Sequence, residues 1–278
     1  MTTHIAIERQ GPIGLVTLNR PDRHNAFDDT LITELTEALR SMEAEDGIRC
    51  VVLSSVGKSF CAGADLNWMR RVAGASQEEN KRDAMALAAL MRTLAELRKP
   101  TIARVQGPAY GGGVGLIACC DVAVATVNAT FALTEAKLGL IPAVISPYVV
   151  AAIGAKAARR YFLTAENIEA ADAWRLGLLH ELAQDEPDLD EKVGQIVDAF
   201  LACGPVAQAE CKALIRAVAG RPVTSELIQD TAERIAKVRS SPEGMEGVSA
   251  FLEKRRASFL PAEPEPEPDE PEMPVGGA

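Results

Sequence analysis

Two loops in this 278-residue chain could do chemistry with their main chain. One reads Ser59-Phe60-Cys61-Ala62-Gly63-Ala64-Asp65-Leu66, the other Gly107-Pro108-Ala109-Tyr110-Gly111-Gly112-Gly113-Val114-Gly115. Each follows an expected strand and opens an expected helix. Small residues let a ligand approach the backbone, and the unpaired N–H groups of a helix start favour developing negative charge. Two such loops facing each other would supply one N–H each, the arrangement that holds an oxyanion. A Gly-rich loop alone is equally consistent with close helix packing. Side-chain chemistry of other kinds is thinly provided. His4, His24 and His180 are scattered, so no metal site is expected. The six cysteines (Cys50, Cys61, Cys119, Cys120, Cys203, Cys211) show no CxxC spacing and read as small buried thiols of a reducing compartment.

The elements that must position these loops follow from periodicity and punctuation. Ile5–Arg9 and Ile13–Asn19 read as a hairpin around Gly11-Pro12. Asp28 can cap a helix with a Leu31, Leu35, Leu39, Met42 ladder, closed by Gly47 before an apolar strand Cys50–Ser54. After the first loop come a short helix over Leu66–Val72 and a longer one with Leu87, Leu90, Met91, Leu94 and Leu97 on one side, ended at Lys99-Pro100. The pattern repeats: strand Ile102–Gln106, the second loop, an apolar helix to Cys120, and strands Val122–Ala125 and Thr130–Leu133. Beyond Val144 it turns helical, over Ala155–Leu163, Asn167–Arg175, Leu189–Cys203, Val206–Ala219, Val223–Val238 and Pro242–Ser258, with one strand at Leu178–Leu182. The expected class is α/β, a core of stacked strand-loop-helix turns with an α-helical C-terminal part.

Charge narrows the partners. There are 29 Lys and Arg against 39 Asp and Glu, a net −10, and six of the acids lie between Glu263 and Glu272 in a stretch rich in proline. The remaining body is only mildly acidic, near −4. Nucleic acid is not expected, because phosphate binding needs clustered bases and the 4% aromatic content leaves few stacking platforms. The N-terminal residues lack a charged-then-apolar leader pattern, and the longest apolar stretch, Gly111–Ala125, is broken by Asp121; a soluble, cytoplasmic protein with no membrane partner is expected. The Pro/Glu tail cannot bury enough apolar surface to offset its ordering entropy and is expected to be disordered.

Four runs taken together, NRPDRHNAF (Asn19–Phe27), FCAGADL (Phe60–Leu66), GPAYGGGVGLIACCD (Gly107–Asp121) and TEAKLGLIP (Thr134–Pro142), resemble the enoyl-CoA hydratase/isomerase, or crotonase, family. AFLEKRRASF (Ala250–Phe259) is similar to that family's ending. The resemblance implies a crotonase-like spiral of ββα units over residues 1–200, a helical trimerisation region over 201–260 and the disordered tail at 261–278, assembled as a homotrimer or a hexamer of two trimers. It implies an acyl-CoA thioester as substrate and no cofactor beyond the coenzyme A that the substrate carries.

Residue by residue, the resemblance puts the oxyanion-hole N–H groups on Ala64 and Gly112. Arg23, Asn25 and Ala26, with Ala62, Asp65, Leu66, Asn67 and Trp68, fall in segments that hold the bent CoA; Phe251 and Lys254 match positions that reach the CoA of a neighbouring subunit. Of the two glutamates typical of hydratases, one matches Glu135 and the other falls on Gly115. A carboxylate in an apolar pocket should have its pKa raised toward a value useful in proton transfer.

With one glutamate, both hydration and a 3,2-enoyl isomerisation remain open, and a non-catalytic acyl-CoA-binding protein is the reading of another class. The runs Ser59–Met69 and Leu138–Glu166 look like the 3-methylglutaconyl-CoA and isohexenylglutaconyl-CoA hydratase branch, which tilts the expectation to hydration of a branched enoyl group. A second carboxylate on such a substrate would need a cation, for which Arg70, Arg71 and Lys81 are candidates. Trp68, Met69, Tyr110, Ile145, Tyr148 and Val149 are candidate acyl-pocket walls, and the sequence does not sort them.

Overall fold

The computed structural model describes residues 4–261. The chain begins with the hairpin β1 (Ile5–Gln10) and β2 (Ile13–Leu18), then α1 (Asp29–Ala44) and β3 (Cys50–Ser55). Asp28 caps α1 by accepting the Leu31 N–H at 2.9 Å, and the ladder Leu31, Leu35, Leu39 and Met42 is fully buried. Next come α2 (Leu66–Ala73), α3 (Gln77–Glu96), β4 (Thr101–Val105), β5 (Ala109–Tyr110), α4 (Gly112–Cys119), β6 (Val122–Thr126) and β7 (Thr130–Ala132). A short 3-10 turn, Thr134–Leu138, leads to α5 (Ser146–Thr164), β8 (Ile168–Glu169), α6 (Ala170–Leu176), β9 (Glu181–Ala183) and α7 (Glu186–Leu201). The chain closes with α8 (Pro205–Val218), α9 (Ser225–Arg239) and α10 (Pro242–Glu253).

Six strands form one sheet in the order β1-β2-β3-β4-β6-β9, antiparallel at the hairpin and parallel elsewhere. Its inner strands are covered on both faces. Val51 and Leu53 of β3 face the main core, with α1, α3, α4 and α5 residues, whereas Cys50 and Val52 face a smaller cluster with Leu189, Val193 and Val197 of α7. Burial on both sides explains why β3 reads as an unbroken apolar run.

A second ladder of very short segments crosses the spiral and builds the site. Phe27 pairs with Ala64, Cys61 with Ala109, and β5 with β7, which pairs in turn with β8. Each turn of chain thus supplies a strand to the first sheet, one to three residues to this ladder, and then a helix.

Several expectations need correction. The second loop contains strand β5, which is too short to show a period. The expected strand Leu178–Leu182 lies instead at Glu181–Ala183, and the expected helix Asn167–Arg175 begins as strand β8. α5 starts nine residues before the expected Ala155, at Ser146, and breaks helical geometry at Gly154 (φ 73°, ψ 156°). α10 ends at Glu253 rather than Ser258, because Lys254 turns left-handed at φ 55°. Cys203 and Cys211 are exposed; the other four cysteines are buried. The tail expected to be disordered lies, beyond Pro261, outside the described residues. Among the described residues no helix is long and apolar enough to cross a membrane, and no cluster of ligating side chains could hold a metal ion.

Candidate active site

The first loop leaves β3 and is stitched to its neighbours on both sides. Phe27 N–H donates to the Gly63 carbonyl at 2.6 Å, Asp65 N–H to the Phe27 carbonyl at 2.8 Å, and Tyr110 N–H to the Cys61 carbonyl at 2.9 Å. Gly63 sits at φ 84°, a region that a side chain would strain, and an added Cβ would also lie 3.1 Å from the Tyr110 carbonyl oxygen. Asp65 then caps α2, accepting the Asn67 and Trp68 N–H groups at 2.8 and 3.1 Å. Its other oxygen faces Arg23 at 3.3 Å and Arg20 at 3.6 Å. Burial alone would push this carboxyl up; the two N–H groups and the two guanidinium charges outweigh it and hold the pKa below the ordinary value.

The second loop turns at Gly111 (φ 49°), whose N–H donates to the Ala132 carbonyl at 2.9 Å. Gly113 packs on the first loop so closely that a Cβ there would lie 2.9 Å from that of Cys61. The two loops are therefore in contact along the short ladder. Among the described residues, neither the Ala64 nor the Gly112 N–H has an intramolecular acceptor. Two free donors on touching loops, one at the start of α4, can receive an oxygen that gains negative charge.

Glu135 stands at this point. It follows β7 in the 3-10 turn, and its Oε1 lies 3.0 Å from where a Gly111 Cβ would be. Its Oε2 is buried and has no hydrogen-bond partner. Burial raises its pKa, and no charged side chain contributes to the shift. A partly buried carboxyl with one oxygen left without a partner is suited to exchange a proton with a ligand rather than to hold the fold together.

No second acid stands at Gly115. A Cβ added there would fall inside the Ile145 side chain, 2.9 Å from the Ile145 Cβ, with Met91 Cε 3.3 Å away. The space is filled by apolar carbon.

Around this centre the remaining expected residues separate into two kinds. The Asn25 side chain is wholly internal: it accepts the Arg20 N–H at 2.8 Å and donates to the Val56 and Ser59 carbonyls at 3.0 and 2.9 Å. With Asp65 it shapes the turn, so what these two positions can offer a ligand is main chain. Ala26 is buried, and Ala62 and Trp68 are half-buried, the Trp68 Nε1 without a partner. Arg23, Leu66 and Asn67 are open to solvent, though Asn67 accepts a bond from Arg70 at 2.7 Å. Arg71 is held by Asp29 at 2.5 Å, and Lys81 is exposed on α3. Phe251 and Lys254 lie at the end of α10, Phe251 82% exposed and far along the chain from the two loops. Sequence reasoning missed Arg20, which ties Asp28 at 2.5 Å and Asp65 into one network, and the pairing of Ile145 with Gly115. The only sequence signal for the latter was a glycine inside an apolar helix.

The chain is similar to known proteins over nearly its whole length. Residues 8–261 match the family model described as enoyl-CoA hydratase/isomerase. A putative enoyl-CoA hydratase of Thermus thermophilus is 36% identical over 250 residues, which cover 90% of this chain and 98% of that protein. A crystal structure of an enoyl-CoA hydratase from Shewanella pealeana superposes with a TM-score of 0.90 at 43% identity, over 92% of this chain and 96% of the other. A putative enoyl-CoA hydratase/isomerase (crotonase) from Legionella pneumophila superposes with a TM-score of 0.87 at 42% identity, over 93% and 100%.

Proposed function

The chain belongs to the enoyl-CoA hydratase/isomerase family, and from that premise we propose that it is an enoyl-CoA hydratase, adding water across the 2,3 double bond of an acyl-CoA thioester. The observation that carries this reading is the buried, unpartnered Oε2 of Glu135, whose other oxygen lies against Gly111, in the loop that also carries the free Gly112 N–H and touches the loop of Ala64. Ionised Glu135 takes a proton from water as the water oxygen bonds to carbon 3. The π electrons move toward carbon 2 and the thioester oxygen, whose charge the two N–H groups receive. Glu135 then returns its proton to carbon 2, so no proton is consumed. One such donor contributes about 3 to 4 kcal/mol to transition-state stabilisation.

CoA lies along the turn Arg23–Ala26 and the main chain from Ala62 to Trp68 in this reading, with Phe251 and Lys254 reaching the CoA of a neighbouring subunit in a homotrimer or a pair of trimers. Support for assembly is the apolar surface that α9 and α10 leave exposed, at Ile228, Ile235, Met245, Val248, Phe251 and Leu252. For the acyl group a branched chain such as 3-methylglutaconyl-CoA is the first candidate; with Arg71 engaged by Asp29, a remote carboxylate would fall to Arg70 or Lys81.

One observation favours a second reading, 3,2-enoyl isomerisation: apolar carbon where a second acid could have held the water. Incubation with 2-enoyl and 3-enoyl thioesters decides. Water uptake by crotonyl-CoA or 3-methylglutaconyl-CoA, lost in Glu135→Gln, supports the hydratase; conjugation of a 3-enoyl thioester without water uptake would replace it.

A further inference from the structure

Glu135 and Ile145, from the 3-10 turn and the residue before α5, pack against glycines one turn apart at the start of α4. Gly111, on which Glu135 stands, accepts the Gly115 N–H at 3.3 Å, so Gly115 lies one turn, about 5.4 Å, further along α4. There Ile145, the residue just before α5, lies across the glycine with its side chain almost completely buried, and Met91 of α3 closes the contact from behind. Any larger residue at 115 would have to displace Ile145. The other wall candidates at the start of α5 go elsewhere: Tyr148 lies near Cys119, Arg92 and Glu96, and Val149 is fully buried in the main core.

We propose that the Ile145–Gly115 pair sets the length of acyl chain the site accepts, Ile145 being the wall against which carbons beyond the reacting double bond end. The inference rests on the thioester reading given above. Ile145 carries no polar group; it is a specificity residue acting by shape, and Gly115 is what lets it take that place. Trimming Ile145 therefore deepens the site. Adding carbon at Gly115 pushes Ile145 out of its seat and makes the site shallower.

The test is a chain-length series in the full chain: crotonyl-, 2-hexenoyl- and 2-octenoyl-CoA for turnover, and the matching saturated thioesters for affinity by calorimetry. Ile145→Ala should raise the octenoyl-to-crotonyl ratio of kcat/KM by about tenfold or more, since each methylene in an apolar pocket is worth about 10-fold to 200-fold. Ile145→Val should give a smaller change of the same sign, and Gly115→Ala a change of the opposite sign. A merely structural role would lower all thioesters together and leave the ratio flat across Ile, Val and Ala at position 145; that result overturns the proposal, even if Gly115→Ala fails to fold. If no enoyl thioester is turned over, the hydratase reading falls, while the saturated thioesters still decide the wall by the same ratio. If no thioester binds, both fall.

Discussion

Asp65 and Glu135 are two carboxylates within one site, each placed just after a strand of the short ladder, and they are treated in opposite ways. Asp65 is 4% exposed and has two N–H donors and two guanidinium groups on it. Glu135 buries an oxygen that nothing satisfies. The first is held below its ordinary pKa, the second above it. Their partners, more than their burial, separate a group that holds the turn from one left for a substrate.

The largest expected effect removes the unsatisfied member. Glu135→Gln should lower kcat/KM for crotonyl-CoA by about 10²- to 10⁴-fold, the range of general acid–base catalysis, with the folded chain intact by circular dichroism. Asp65→Ala should do the reverse in kind: a stability loss of about 1 to 3 kcal/mol in urea unfolding, from the missing cap and the loss of one ion-pair partner each for Arg20 and Arg23. If Asp65→Ala costs no stability while Glu135→Gln does, the division between the two is wrong. Gly115→Ala, a probe of the neighbouring wall, should cost about 1 to 3 kcal/mol by overpacking, relieved when Ile145→Ala is added.

pH should sharpen the contrast with smaller changes. A carboxyl with a raised folded pKa favours folding where it is protonated, and that contribution is lost as pH rises through the raised value. Glu135 should thus make the chain slightly less stable at neutral pH, and Glu135→Gln should raise Tm there while leaving it little changed at acid pH. Asp65 has the opposite sign: its contribution is present above the ordinary carboxylate range and lost as pH falls through the lowered value. The acid limb of kcat/KM should follow Glu135, rising with pH through a midpoint above the ordinary 4.5 of a glutamate.

The parts legible in the sequence are those whose signal is local. Asp28 caps α1, the Leu31 to Met42 ladder is buried, and the two small-residue loops do meet. The ladder that joins them was not legible, since rungs of one or two residues at Phe27, Ala64 and Ala109 have no period to read. The resemblance put Asn25 in a segment that holds CoA, but only the fold shows that three internal bonds occupy its side chain and leave main chain to offer a ligand. Glu135 could be named from motif resemblance, but its solitude is a tertiary property: it depends on what Gly111, Gly115 and Ile145 leave around it. α10 overran in the expectation because no glycine or proline marks its end, whereas the backbone turns left-handed at Lys254.

The short ladder also fixes an order of completion during synthesis. Its rungs are laid from the N-terminus in sequence, Phe27, then Cys61–Ala64, then Ala109, then β7. A nascent chain that has emerged as far as α4 already carries both N–H donors, the base arrives with the turn at Glu135, and the wall at Ile145 comes last. In the proposed reading, a fragment ending before Thr134 would lack the proton-transferring carboxyl, which is added only after both donor loops have been synthesised.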